Sequence, residues 1–160
     1  MNGTGGPGGS SFDTVYSRER PALTRLAYLL VRTMPVAEEL AQEAFVRLYE
    51  RFDTVENPAG FLRTAVVRLG LRWMERLDME RRRLAVAGAG QQLDGEPEVD
   101  ETWDALGRLR PERRAVLVLR FYEDMSHEQV AQVLRCSAGT VRSRTRRALA
   151  DLRKEMTDDR

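Results

Sequence analysis

The stretch RLRPERRAVLVLRFYEDMSHEQVAQVLRCSAGTVRSRTRRALADLR, residues 108–153, decides the fold class and raises the question of function. It contains two short helical patterns, SHEQVAQVL and GTVRSRTRRALADL, separated by a tight Arg-Cys-Ser-Ala turn. In the second pattern Val141, Thr145, Ala148 and Leu152 recur at spacings of four, three and four, which puts them on one face of a helix. Thr140, Ser143, Arg144 and Arg147 fall on another face, with Arg142 and Arg146 beside them. A buried stripe backed by a donor-rich face suits a DNA major groove. Arginine forks two N–H groups onto guanine, and short hydroxyls reach phosphates or base edges. The same pattern also describes a solvated basic helix in an ordinary bundle; the helix-turn-helix spacing favours nucleic acid.

Upstream of this unit, Ser126 and Gln129 form an S-x-x-Q capping box, which marks the start of its first helix. Pro111 opens the preceding helix, which carries Ala115, Val116, Leu119 and Tyr122, and Trp103, Leu106 and Leu109 open the block. A separate helical block lies nearer the N-terminus. Phe12, Val15 and Tyr16 are helically spaced, Pro21 predicts a kink or restart, and Leu23, Leu26, Ala27 and Leu30 continue the stripe. After a break at Thr33-Met34-Pro35, the residues Ala37, Leu40, Ala41, Ala44, Phe45, Leu48 and Phe52 form the clearest amphipathic pattern of the chain. Asn57-Pro58 predicts an N-cap and a first helical position. The helix they start buries Leu62, Ala65, Val66, Leu69 and Trp73 and ends in the basic run Arg81-Arg82-Arg83. No strand pattern is present. The expectation is an all-α chain of two small helical domains: a Gly-rich tail over 1–11, a first domain over 12–83, a flexible acidic linker over 84–102 and a second domain over 103–157. Extended, the seventeen residues from Leu84 to Asp100 would span about 55–60 Å, so the domains need not touch.

The net charge of +1 conceals an asymmetry. Asp94, Glu96, Glu98, Asp100, Glu101 and Asp104 crowd the stretch from Leu84 to Asp104, which has no lysine or arginine. Residues 105–156 carry 12 basic against 6 acidic side chains, so positive charge concentrates where phosphate attraction requires it. No apolar run approaches the ~20 residues of a membrane span, and the N-terminus lacks the features of a signal peptide. The single cysteine, Cys136, excludes an internal disulfide framework and points to a reducing cytoplasm. Cys136 and the lone His127 cannot build a metal site within one chain. No Gly-rich phosphate loop, histidine cluster or nucleophile–base pair stands out, so neither catalysis nor a cofactor is expected.

Two segments carry a family resemblance. AEELAQEAFVRLYERF, residues 37–52, resembles region 2.2 of bacterial RNA polymerase sigma factors of the extracytoplasmic-function (ECF) group, close to the SigE-like subfamily of actinobacteria. The segment from Leu109 to Arg153 resembles region 4 of the same family almost end to end. With NPAGFLRTAVVRLGLRWMERL between them, the likeness runs from about Phe12 to Met156. The resemblance implies promoter-specific initiation, with core RNA polymerase and promoter DNA as partners and an anti-sigma factor as a regulator found among relatives. It implies that Glu39, Gln42, Glu43, Arg47 and Glu50 meet the β′ clamp helices. It implies that Asn57, Phe61, Arg63, Thr64, Arg68 and Arg72 serve the −10 element, where an opened base must be lodged in protein to offset lost stacking. Ser137, Thr140, Arg142, Ser143, Arg144, Arg146 and Arg147 fall at positions that contact the −35 element, and the other helices of region 4 would meet the β-flap. Arg142 and Arg144 are then the base readers, and Arg146 and Arg147 the phosphate clamps.

Two departures accompany the likeness. Arg68 stands where many relatives have a base-reading asparagine, and Arg135 replaces a glycine common at the start of the turn. Two rival readings stay open on sequence: a helix-turn-helix regulator without a sigma role, and a polymerase-binding relative that has lost promoter choice.

Overall fold

The computed structural model describes residues 11–86 and 101–158. Residues 1–10, expected as a tail, and 87–100, most of the expected linker, lie outside the described residues. Among those described, seven α-helices and two short non-α turns form two blocks, without strands.

The first block is a three-helix bundle of α1 (Phe12–Val31), α2 (Met34–Arg51) and α3 (Pro58–Val86). Ser11 caps α1 by accepting from the Thr14 N–H at 3.2 Å. The helix then runs unbroken through Pro21, contrary to the expected restart. Pro21 and Ser17, whose carbonyl loses its usual donor, both lie on the exposed side, where water can replace the bond. Val15 on one side of the proline and Leu23 and Leu26 on the other are buried in the same core. Arg32 ends the helix at φ 63°, in the left-handed conformation. Phe45, Leu48, Leu26, Leu30 and Leu62 are fully buried at the bundle centre. Each such side chain contributes about 1.5–3 kcal/mol by leaving water. Asn57 caps α3 as expected, its Oδ1 accepting from the Gly60 N–H at 3.1 Å. That helix continues past the arginine run to Val86, so the first residues assigned to the linker are helical.

The second block comprises α4 (Glu101–Arg108), α5 (Pro111–Leu117), α6 (His127–Leu134) and α7 (Ala138–Asp158). Leu119, Val116, Val130 and Val141 are its fully buried side chains. Between α5 and α6 the chain winds into a π turn, Val118–Tyr122, which the sequence pattern does not predict. There Glu123 N–H bonds to Val118 O at 3.1 Å, and Asp124 takes φ 53°. The turn leaves Phe121 and Tyr122 exposed. The capping box at the start of α6 forms in both directions: Ser126 N–H donates to Gln129 Oε1 at 2.8 Å, and Gln129 N–H donates to Ser126 Oγ at 3.1 Å.

The blocks pack directly against each other, with α3 against α5 and α6 and α1 against α5 and the π turn. A linker long enough to keep them apart therefore does not do so here.

Candidate nucleic-acid interface

The turn of the helix-turn-helix is built by backbone geometry. Arg135 closes α6 in the left-handed region, φ 56° and ψ 48°, so the turn keeps its shape without the glycine. Its N–H bonds to Ala131 O, as does that of Cys136 at 3.1 Å. Ser137 Oγ then accepts from the Thr140 N–H at 3.0 Å and lies 2.9 Å from Thr140 Oγ1. Both hydroxyls thus help start α7 as well as facing outward. Val141, Thr145 and Ala148 are buried, and the Thr145 hydroxyl is satisfied by Val141 O at 2.7 Å. Arg113–Asp151 and Arg108–Glu155 (3.8 Å) tie the long helix to the rest of its block.

With that stripe buried, Arg142, Arg146 and Arg147 are exposed and Ser143 and Arg144 half-buried on one side of α7. Arg142 pairs with Glu128 of α6 at 3.2 Å, a largely exposed contact that DNA can displace. Arg144 and Arg147 border a cavity of about 340 Å³ whose other walls include Leu71 and Glu75 of α3.

The residues assigned to the −10 element lie along the start and middle of α3. Asn57 and Arg72 are exposed, while Phe61, Arg63, Thr64 and Arg68 are half-buried. Arg63 and Arg68 turn toward the second block. Arg63 reaches Glu123 at 3.5 Å. Arg68 donates from Nε to Val133 O at 3.0 Å and from Nη2 to Gln132 O at 3.3 Å. Burial, and after it the neighbouring charge of Arg135, hold the Arg68 pKa below its ordinary value.

On α2, Glu39, Gln42, Glu43 and Glu50 are exposed and Arg47 half-buried. Arg47 pairs with Glu43 at 2.8 Å, and Gln42 Oε1 accepts from the Tyr16 hydroxyl at 3.4 Å. The face is therefore mixed in charge and available to a partner. A different surface forms beside the π turn, where Leu29, Leu106, Leu117, Val118, Phe121, Tyr122, Leu149 and Leu152 line an apolar groove of about 400 Å³.

Sequence reasoning missed the residues that join the blocks. Arg114 is almost fully buried, at 7% exposure. It donates to Leu30 O of the first block at 2.7 Å, to Gly107 O at 2.8 Å and, more weakly, to Leu109 O at 3.4 Å. Burial, then the charges of Arg32 and Arg81, push its pKa down to about 10, with Asp78 opposing; the group stays cationic at neutral pH. Arg32 binds Asp104 at 3.2 Å and lies over the Trp103 ring, 5.1 Å from its centroid. Trp103 in turn stacks on Tyr28 at 5.3 Å. A Cβ on Gly107 would stand 1.5 Å from Arg32 Nη1, so the guanidinium occupies the space that glycine leaves open. One local signal was available: Arg114 lies one turn before Leu117 and Val118 on an apolar stripe, where an unpaired charge would be costly.

No group of three or more His, Cys, Asp or Glu is placed to hold a metal among the described residues, and none of their helices is long and apolar enough to cross a membrane.

Two helical blocks packed together, the second ending in an arginine-faced helix-turn-helix, define a helix-turn-helix DNA-binding protein. Residues 15–79 match the family profile for sigma-70 region 2, and residues 100–152 match that for sigma-70 region 4. The chain belongs to the sigma-70 family, as an RNA polymerase sigma factor of the ECF group that acts in promoter-specific initiation. It is 34% identical over 157 residues to the RNA polymerase sigma-E factor of Streptomyces coelicolor, covering 91% of this chain and 85% of that one. Identity to the ECF RNA polymerase sigma factor SigE of Mycolicibacterium smegmatis is 30%, over 89% of this chain and 60% of the relative. The fold is similar to that of the sigma factor RpoE of Bartonella quintana, solved with the anti-sigma factor NepR. The TM-score is 0.69 at 22% identity, over 93% of this chain and 98% of that one. It is also similar to the ECF sigma factor SigJ of Mycobacterium tuberculosis, with a TM-score of 0.62 at 26% identity, over 88% and 53%.

Proposed function

We propose that this chain divides initiation between its blocks, as a non-enzymatic subunit of polymerase in the cytoplasm. Residues 12–83 bind core polymerase and the −10 element, and residues 103–157 bind the −35 element. The observation that carries this division is the pairing of two separate basic faces, on α3 and on α7, with the mixed-charge helix α2 ahead of both in sequence. Glu39, Gln42, Glu43, Arg47 and Glu50 dock on the β′ clamp helices, whose charged coiled coil a mixed-charge face can match. Asn57, Phe61, Arg63, Thr64, Arg68 and Arg72 hold the opened −10 strand, and binding an extruded base offsets a few kcal/mol of lost stacking. Opening draws on that binding energy and needs no ATP.

Arg142 and Arg144 read −35 base edges, Arg146 and Arg147 clamp phosphates, and Ser137, Thr140 and Ser143 supply short donors. The apolar groove of Phe121, Tyr122, Leu149 and Leu152 receives the β-flap. The Bartonella quintana relative was solved with an anti-sigma factor, and a regulator of that class is a partner to test for here.

In vitro transcription with purified core polymerase and a library of promoter fragments tests the reading. Start sites that depend on this chain are expected. Their absence would leave a helix-turn-helix regulator or a polymerase binder without promoter choice.

A further inference from the structure

We infer that the cleft between the two blocks binds a small nucleotide carrying more than one phosphate: guanidiniums from both blocks and the start of α2 converge on it, beside a half-buried indole. None of the residues assigned to polymerase, to the −10 element or to the −35 element lines this cleft, so the site is separate from the proposed function.

The cleft measures about 570 Å³, within the range of about 300–1,000 Å³ for small-molecule sites. One wall comes from the end of α1, the start of α2 and the later turns of α3, the other from the junction of α4 and α5. Five arginines line it, Arg32, Arg81, Arg108, Arg110 and Arg114, against a single carboxylate, Asp78. That carboxylate is already held at 3.1 Å by Arg82, which lies outside the cleft. Arg32 is paired with Asp104 and Arg108 with Glu155, whereas Arg81, Arg110 and Arg114 form no ion pair among the described residues. A single phosphate ester brings no more than about two negative charges to such a cluster, so a ligand with several phosphates matches it better.

The donors on this cleft are also incompletely used. Arg114 is 7% exposed and bonds three carbonyls, yet its Nε, like that of Arg32, is buried with no hydrogen-bond partner among the described residues. Buried polar groups are nearly always satisfied, so two unmet guanidinium donors at one cleft point to an acceptor. Burial, and then the charges of Arg32 and Arg81, push the Arg114 pKa down to about 10, and an anion among the three relieves that repulsion. The start of α2, a helix of 18 residues, opens on the same space through Thr33 and Val36. Thr33 is its N-cap but makes no capping bond, so no side-chain acceptor meets the positive end of the helix dipole. Trp73, Leu77 and Val36 are half-buried and give the cleft an apolar wall. An inorganic anion would leave that wall in water; an aromatic base covers it and can stack on the indole.

Calorimetry on the full chain, with ATP free of magnesium at about 0.15 M salt, tests this. ATP should bind at one site, tripolyphosphate more weakly, and adenosine not measurably. Arg81→Glu and Arg110→Glu, both at exposed positions, should each weaken ATP binding about tenfold or more, as the loss of a charge-assisted contact implies. Arg83→Glu makes the same change in net charge at an exposed position outside the cleft, and should leave affinity within about twofold because solvent screens it. In a Trp103→Phe chain Trp73 is the sole tryptophan, and ATP but not tripolyphosphate should quench its fluorescence.

No saturable binding of ATP by the parent chain, or a loss in Arg83→Glu equal to that in Arg81→Glu, would overturn the site. Equal affinity for ATP and tripolyphosphate, with Trp73 unquenched, would remove the nucleotide as its ligand and refute the inference in that form. Neither polymerase nor DNA enters these measurements, so a chain that binds ATP as described yet never initiates keeps the site and loses the sigma reading.

Discussion

Replacing Arg114 with alanine should weaken the seam between the blocks before it weakens either block. The side chain makes two well-formed bonds, at 2.7 and 2.8 Å, and one long one at 3.4 Å. A bond from a charged donor contributes about 1.5–3 kcal/mol net, which sets a ceiling near 6 kcal/mol for the two good ones. Two effects reduce it. The group sits on a cleft of about 570 Å³, so water can reach the abandoned carbonyls. Removing the guanidinium also removes its own desolvation cost, seen in the pKa pushed down to about 10. A loss of about 2–3 kcal/mol remains.

At a urea m-value of about 2 kcal/mol/M, that is a midpoint shift of about 1 M. The chain has two tryptophans, and both report on this region: Trp103 stacks across the seam on Tyr28, and Trp73 lines the cleft. Fluorescence should therefore lose its transition at lower urea than far-UV circular dichroism in Arg114→Ala, while the parent chain shows coincident curves. Arg114→Lys, with a charge but no fork, should fall between. A midpoint within the equivalent of about 0.5 kcal/mol of the parent, with coincident curves, would refute the reasoning.

Other substitutions probe single links. Arg144→Ala should lower −35-dependent initiation by roughly 1–3 kcal/mol at the preferred promoter and much less at a promoter altered at the base it reads; equal losses on all sequences would make it a phosphate contact. Arg135→Gly should stabilise the chain by about 0.5–1 kcal/mol in thermal unfolding, because it relieves a left-handed φ of 56° at some entropic cost. Ser126→Ala removes one half of the capping box and should cost about 1 kcal/mol, and Ser126→Gly somewhat less, by the same measurement.

The helices and their starts were legible because their causes are local. Ser126 with Gln129, and Asn57 with Pro58, satisfy donors three residues away, and those spacings are visible in one dimension. The stripe through Val141, Thr145, Ala148 and Leu152 set the orientation of α7 and with it the arginine face. Pro21 misled because the penalty for proline depends on whether water can reach the orphaned carbonyl, and here Ser17 and Pro21 are both exposed. The π turn at Val118–Tyr122 leaves no periodic trace, since one extra residue in a helix barely alters a short apolar pattern. The seam was illegible for a different reason. Arg68 and Val133, or Arg114 and Leu30, are far apart in sequence, and a single pairing of that kind has no repeat to detect. The candidate site residues were read as three separate lists, one for the polymerase and two for DNA. That Arg63 and Arg68 turn onto the second block is information only the packing contains.

The π turn carries a consequence for how this surface could change over time. A π turn is an α-helix holding one residue too many, and each residue in a helix accounts for about 100° of rotation. Deleting any one position from 118 to 120 would restore a plain helix and spin the following residues by roughly that angle. Phe121 and Tyr122 would leave the groove rim without a single aromatic being mutated. The docking face there is thus set by the count of residues as much as by their kinds, and a one-codon deletion could erase it while leaving the helix-turn-helix downstream folded.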